Sequence, residues 1–123
     1  MGIDIALLAV GRFLIGGAFV VAGLRNIQAR AFVSGLMAAR GVPQASAVLW
    51  LGIVAQVAAG AALIAGFQPV AAAAILCLFL LAATPMFHNF WDYQGPERVA
   101  KINGTIGNVG LFGGLLSIVA HGL

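Results

Sequence analysis

The sequence predicts an all-α membrane protein: a four-transmembrane-helix antiparallel bundle with a short interfacial helix between spans one and two. Three observations carry that prediction. Hydrophobic residues fill 63% of the 123 positions and charged residues only 7%, where a soluble domain has about a quarter charged. Six basic and three acidic side chains cannot coat a water-facing surface of this size, so a soluble domain is excluded. The apolar residues gather into four runs, each near the roughly 20 residues that cross about 30 Å of hydrocarbon. The runs are apolar on every side, without the ~10-residue alternation of barrel strands. Residues 1–123 read as one membrane domain.

Span one covers about residues 5–24. It does not read as a cleavable signal. Asp4 stands where a basic start is expected, Arg12 interrupts the run, and no Ala-x-Ala site follows. The next connection is too long for a turn. Within it Ala29, Phe32, Val33, Leu36 and Met37 share one side of a helix, with Arg30 and Ser34 at its polar edge. That pattern predicts a short helix lying among the headgroups, ended by Gly41-Val42-Pro43. Span two covers about residues 47–65. Gly66-Phe67-Gln68-Pro69 then makes a tight turn, since Gly ends one helix and Pro opens the next. Span three covers about residues 70–87, with Cys77 as a small packing residue. After a second polar connection, span four covers about residues 102–120.

The two long connections hold Arg25, Arg30, Arg40, Arg98 and Lys101, whereas the termini and the short turn hold no Lys or Arg. By the positive-inside rule the long connections are cytoplasmic and both termini extracytoplasmic. The net charge of +3 therefore reports orientation and contact with membrane lipids, not nucleic acid. Arg25, Arg30, Arg40, Trp91 and Tyr93 are expected at the membrane interface. A lone cysteine excludes an intrachain disulfide and a Cys-x-x-Cys centre.

Polar residues inside the spans are the candidates for function. Arg12 lies about 10 Å from the end of span one, on a stripe with Gly16, Phe19, Gly23 and Asn26. It either faces inward or snorkels to the headgroups. In span two, Gly52-x3-Gln56-x3-Gly60 sets an amide between two small residues on one face. Counting from the span ends puts Gln56 and Arg12 within about one turn in depth. They are expected to pair; the plainer role for Gln56 is an interhelical hydrogen bond. In span four, Asn103, Gly107, Gly110 and Gly114 form a small-residue stripe expected to pack on another helix. Asn108 points off that stripe, toward a headgroup-level pocket with His88. His88-Asn89-Phe90-Trp91 closes span three and, with Tyr93, makes an aromatic belt. His88 is either a belt residue or a titratable group able to hand a proton to a ligand. Arg25, Asn26 and Asn103 end or begin spans at this level, so a polar pocket is expected there.

Other classes are disfavoured. His88 and His121 lie at opposite faces, so no pair of haem ligands forms. No carboxylate lies inside a span, which disfavours a proton-coupled exporter. No metal-ligand cluster and no nucleophile–base constellation is visible, so no self-contained catalytic site is expected.

These landmarks together resemble the DoxX family of small four-helix membrane proteins. The matching pieces are Arg12 with Ala22-Gly23-Leu24-Arg25, Gly41-Val42-Pro43, His88-Asn89-Phe90-Trp91, and Asn108 followed by Gly113-Gly114-Leu115-Leu116. The resemblance implies a bacterial cytoplasmic (inner) membrane and a redox context, since members are associated with quinone-linked thiosulfate oxidation and oxidative-stress complexes. It further implies a small subunit of a quinone-linked redox system, binding a quinone or similar lipid-soluble ligand in its bundle. Arg12 with Gln56, or His88 with Asn108, would hold the head group, with Asn89 and Asn103 nearby; no haem and no metal are expected. Distant relatives resemble assembly chaperones, which implies an alternative: a non-catalytic scaffold subunit with a membrane-protein partner or as a homo-oligomer. One departure stands out. The family frequently has a glutamate in mid-span two, where this chain has Gln56 before Ala59-Gly60.

Overall fold

Four helices long and apolar enough to cross a membrane run antiparallel through the structure, a computed structural model that describes residues 2–123. They are α1 (Gly2–Gln28), α3 (Ala45–Ala65), α4 (Pro69–Phe87) and α5 (Gly95–Gly122). The short helix α2 (Arg30–Ala39) stands between the first two, and a 3-10 turn covers Phe90–Asp92. No strand occurs among the described residues. The predicted fold class is the one observed.

α1 and α5 outrun their predicted spans, and the reason is physical. Pro96 sits in the first turn of α5, where its fixed φ suits a helix start. The turns that follow carry Glu97, Arg98 and Lys101, so hydropathy does not mark them. An apolar run reports the part of a helix in lipid, and polar helical turns beyond it are silent.

α2 turns Met37, 3% exposed, onto Ala45, Leu49 and Ile53 of α3. Phe32 and Leu36 stay exposed on its outer side, the arrangement of a helix that rests one apolar edge among lipid chains.

The closest helix approach is between α1 and α3. A Cβ on Gly16 would collide with the Gly60 carbonyl oxygen, and one on Gly60 would lie 2.7 Å from that of Gly16. Gly23 likewise stands against Ile53, Gln56 and Val57. Two backbones come this near only where side chains are missing, and the dispersion attraction between them replaces a hydrophobic force that lipid does not supply. The main core joins Phe19, Ala59 and Leu63 to Ala72, Ala73, Leu76, Cys77 and Leu80 of α4 and Leu115 and Ile118 of α5.

The glycine stripe predicted as the packing face of α5 is not its inner face. Asn103, Gly107 and Gly110 are exposed, and a Cβ on Gly107 or Gly110 would meet nothing within 4 Å. Gly114 alone of that stripe makes a contact, with Ile15 of α1. Here α4 supplies the small surface through Ala72 and Ala73, so α5 brings its large residues Leu115 and Ile118 to the core.

Candidate functional site

The glycine contacts set the register of α1 on α3 and thereby decide which polar side chains meet. With Gly16 on Gly60 and Gly23 beside Gln56, the next turn of α1 carries Asn26 to Gln56. Asn26 Nδ2 donates to Gln56 Oε1 at 3.0 Å. Gln56 is only 4% exposed. Its Nε2 donates to no acceptor among the described residues, and the residue lines a cavity.

The expected pair of Arg12 with Gln56 is not formed. Opposite Gly60 stands Gly16, so Arg12 falls about eight residues, or ~12 Å, from the level of Gln56. The Arg12 guanidinium instead lies over the end of α3, its Nη2 3.3 Å from where a Gly66 Cβ would stand. There the C-terminal end of the helix dipole favours a cation. Arg12 Nε is buried and has no hydrogen-bond partner among the described residues. Depth counted from predicted span ends missed a register fixed by glycines in mid-helix.

The ends of α4 and α5 supply the rest of the site. His88 ends α4, its N–H donating to Thr84 O at 2.8 Å, and its ring rests on Gly104, where any Cβ would collide with it. Asn108 Nδ2 donates to Thr84 Oγ1 at 3.1 Å. Lys101 Nζ donates to Phe87 O at 2.8 Å, and Thr105 Oγ1 to Lys101 O at 2.9 Å. The Asn108–Thr84 and Lys101–Phe87 bonds tie α5 to α4 at the end of the bundle that carries the basic connections.

A cavity of about 200 Å³ lies among these groups. Asn26, Gln56, His88 and Asn108 supply its polar wall, and Phe19, Phe79, Phe87 and Leu111 much of the rest. α1 and α5 meet at Ile15 and Gly114, and the space lies beyond that contact, toward the basic end. The structure thus joins into one site the Gln56 and His88–Asn108 candidates that the sequence placed in two.

Other predicted residues fall elsewhere. Asn103 is exposed. Asn89 is 4% exposed, but its Nδ2 donates to Asp92 Oδ2 at 2.9 Å, an oxygen that Arg40 Nη1 reaches at 3.4 Å. With Arg40, Tyr93 and Lys101 it borders a separate pocket of about 140 Å³. Lys101 stands 4.5 Å over the Tyr93 ring and Arg98 5.5 Å over that of Phe90. Arg25, Arg30 and Trp91 are exposed, and Gly52 faces Phe79 of α4.

Sequence reasoning missed Thr84 and Gly104, and it did not see Asn26 as the partner of Gln56. A signal for Asn26 existed, since it shares the helix stripe of Gly16 and Gly23. A threonine one turn before a histidine, or one glycine among several in α5, carries no comparable signal.

The site is neutral and rich in amides, with one imidazole and no acid. It suits a polar, uncharged head group that accepts hydrogen bonds. The chain matches the DoxX family model over residues 7–89, more than half of its length, from early α1 through His88-Asn89. Gly104 and Asn108 lie beyond the matched stretch. No curated protein and no solved structure matches the chain.

Proposed function

This chain belongs to the DoxX family, and on that premise we propose that it is a small membrane subunit of a quinone-linked redox system, holding a quinone or a ligand of like chemistry by its head group in the Asn26–Gln56 cavity. One observation carries the reading. Gln56 is 4% exposed, its oxygen is taken by Asn26, and it lines the cavity with an NH₂ group that donates to no acceptor among the described residues. A ring carbonyl in the cavity is an acceptor for this donor.

The space fits such a head. An apolar cavity of about 150 Å³ takes a benzene molecule, so about 200 Å³ holds one substituted six-membered ring. When bound, a quinone supplies electron-carrying chemistry in its own ring. The residues do the rest. Asn26 fixes the orientation of the Gln56 amide, and Gln56 donates toward a carbonyl oxygen, an interaction that strengthens as that oxygen gains charge. His88 holds a proton at one ring nitrogen beside the same space. A glutamate at this position would only accept when ionised, so Gln56 is the better partner for a carbonyl. A partner membrane protein delivers the electrons. The basic end, and with it the cavity, faces the cytoplasm of a bacterial inner membrane.

The test is solvent extraction of the purified protein with detection of lipid quinones, followed by binding of added quinone. Retained quinone that Gln56→Leu reduces supports the reading. A protein that neither retains nor binds quinone sinks it.

A second reading, a non-catalytic assembly subunit, draws on the exposed Asn103, Gly107 and Gly110 stripe of α5. Such a face admits close approach by another helix. A stoichiometric partner or a homo-oligomer recovered in mild detergent would favour it; monomeric behaviour at every detergent level would count against it.

A further inference from the structure

A second cavity, of about 320 Å³, runs between α3 and α4 on the outside of the bundle. Its rim includes Leu51 and Leu78, 72% and 68% exposed, so it opens on the surface that faces lipid. It shares Asn26, Gln56 and Phe79 with the inner cavity. With Ala83 and Phe87 these residues form a wall common to the two spaces, the Phe79 ring included. On one side that ring stands edge-on to Phe19, with centroids 6.2 Å apart. On the other it lies 3.3 Å from where a Cβ on Gly52 would be. A glycine keeps the outer side of the ring clear.

We propose that the α3–α4 groove is the exit for the apolar tail of the ligand, and that Gly52, by leaving room beside Phe79, lets the site admit ligands that carry such a tail. The inference rests on the reading that the inner cavity holds a quinone-like head. Size requires an exit. The inner cavity has room for a ring, so a long chain attached to that ring must leave the bundle. The other groove, between α4 and α5, shares Asn108 with the inner cavity but reaches neither Gln56 nor Asn26. Of the two outer grooves, the α3–α4 groove is the one that shares Gln56 and Asn26 with the inner cavity.

The function of the groove follows from its surroundings. In a bilayer, a tail gains little by leaving acyl chains for an apolar groove, because both are equally apolar. The groove therefore adds little affinity of its own. What it does is leave the tail in lipid while the head reaches Gln56. Filling it excludes tailed ligands by sterics and leaves tail-less ones alone.

The probes are decylubiquinone, with a ten-carbon tail, and duroquinone, with none. Binding is measured on the purified full-length protein in detergent micelles, corrected for partition into the micelle. The variants are Gly52→Leu and Ala55→Leu, the latter lining only the outer groove, with Ala58→Leu as an exposed control on α3 that borders neither cavity. Because Gly52→Leu crowds Phe79, Ala55→Leu serves as the second variant, and duroquinone binding reports that each is folded. The expected result is a Kd for decylubiquinone raised by at least about tenfold in both groove variants, with duroquinone within about twofold and the control unchanged. Decylubiquinone binding that survives both substitutions overturns the exit. So does an equal loss of both probes, which would make the groove part of the head site. If the parent protein binds neither probe, the reading beneath fails and this one falls with it.

Discussion

The register of α1 on α3 makes a quantitative claim that a pair of double-mutant cycles can check. Asn26 and Gln56 share a neutral hydrogen bond of 3.0 Å, with Gln56 nearly fully buried and Asn26 half-buried beside a cavity. Such a bond contributes about 0.5–1.5 kcal/mol net in proteins, and membrane cycles average about 0.6 with a maximum near 1.7. Because the amide left behind borders a cavity, where it can turn or meet water, the lower half applies. The expected coupling between Asn26→Ala and Gln56→Ala is about 0.6–1 kcal/mol. Arg12 and Gln56 lie about 12 Å apart along the helices and share no partner, so their substitutions should add within roughly 0.3–0.5 kcal/mol.

A further variant sharpens the contrast. Gln56→Glu would set a carboxylate at a position 4% exposed, out of reach of the Arg12 guanidinium. It should destabilise by at least about 1 kcal/mol at neutral pH, because the charge loses its solvation without an ion pair. The assay is the unfolding free energy in mixed micelles as the fraction of denaturing detergent rises. An Arg12–Gln56 coupling as large as that of Asn26–Gln56, or a stabilising Gln56→Glu, would refute the register.

Three further outcomes follow from the same packing, and a fourth from the charge distribution. Gly16→Val drives a branched side chain into the Gly60 carbonyl, and should lower stability by about 1–3 kcal/mol. Gly107→Ala meets nothing and should leave the thermal midpoint unchanged or slightly raised, through helix propensity. Gly104→Ala displaces the His88 ring, so the imidazole NMR signals of His88 should shift, while Gly110→Ala leaves them in place. In a Cys77→Ala background, a cysteine at Arg40 or Gln94 should react with an impermeant reagent from the cytoplasmic side, and one at Gly122 from the opposite side; the reverse pattern would invert the proposed orientation.

Span number and the interfacial helix were legible because lipid demands apolarity on every side of a helix, and few other environments do. The same demand hides which side of a span faces inward. In a soluble helix a polar face marks the outside, but here Leu51, exposed on α3, and Leu63, fully buried on the same helix, are the same residue type. Small residues are the remaining clue, and they served unevenly. They located the α1–α3 contact through Gly16, Gly23 and Gly60. On α5 they pointed outward, since a helix facing the alanines of α4 has no need of glycines of its own.

The partner of Gln56 was within reach of the sequence all the same. Arg12 and Asn26 stand at the two ends of one stripe on α1, and either can reach α3 in some register. Setting Gly16 against Gly60 in antiparallel order brings Gln56 level with Val20, between Gly16 and Gly23. From there its side chain reaches along the groove toward Asn26, about 9 Å further toward the basic end, and Arg12 recedes toward Gly66. Counting depth from span ends carries an error of a turn or more at each end, whereas matching glycine to glycine carries almost none, because a misaligned register would force a side chain into a backbone. In an apolar bundle, the residues without side chains decide which polar side chains meet.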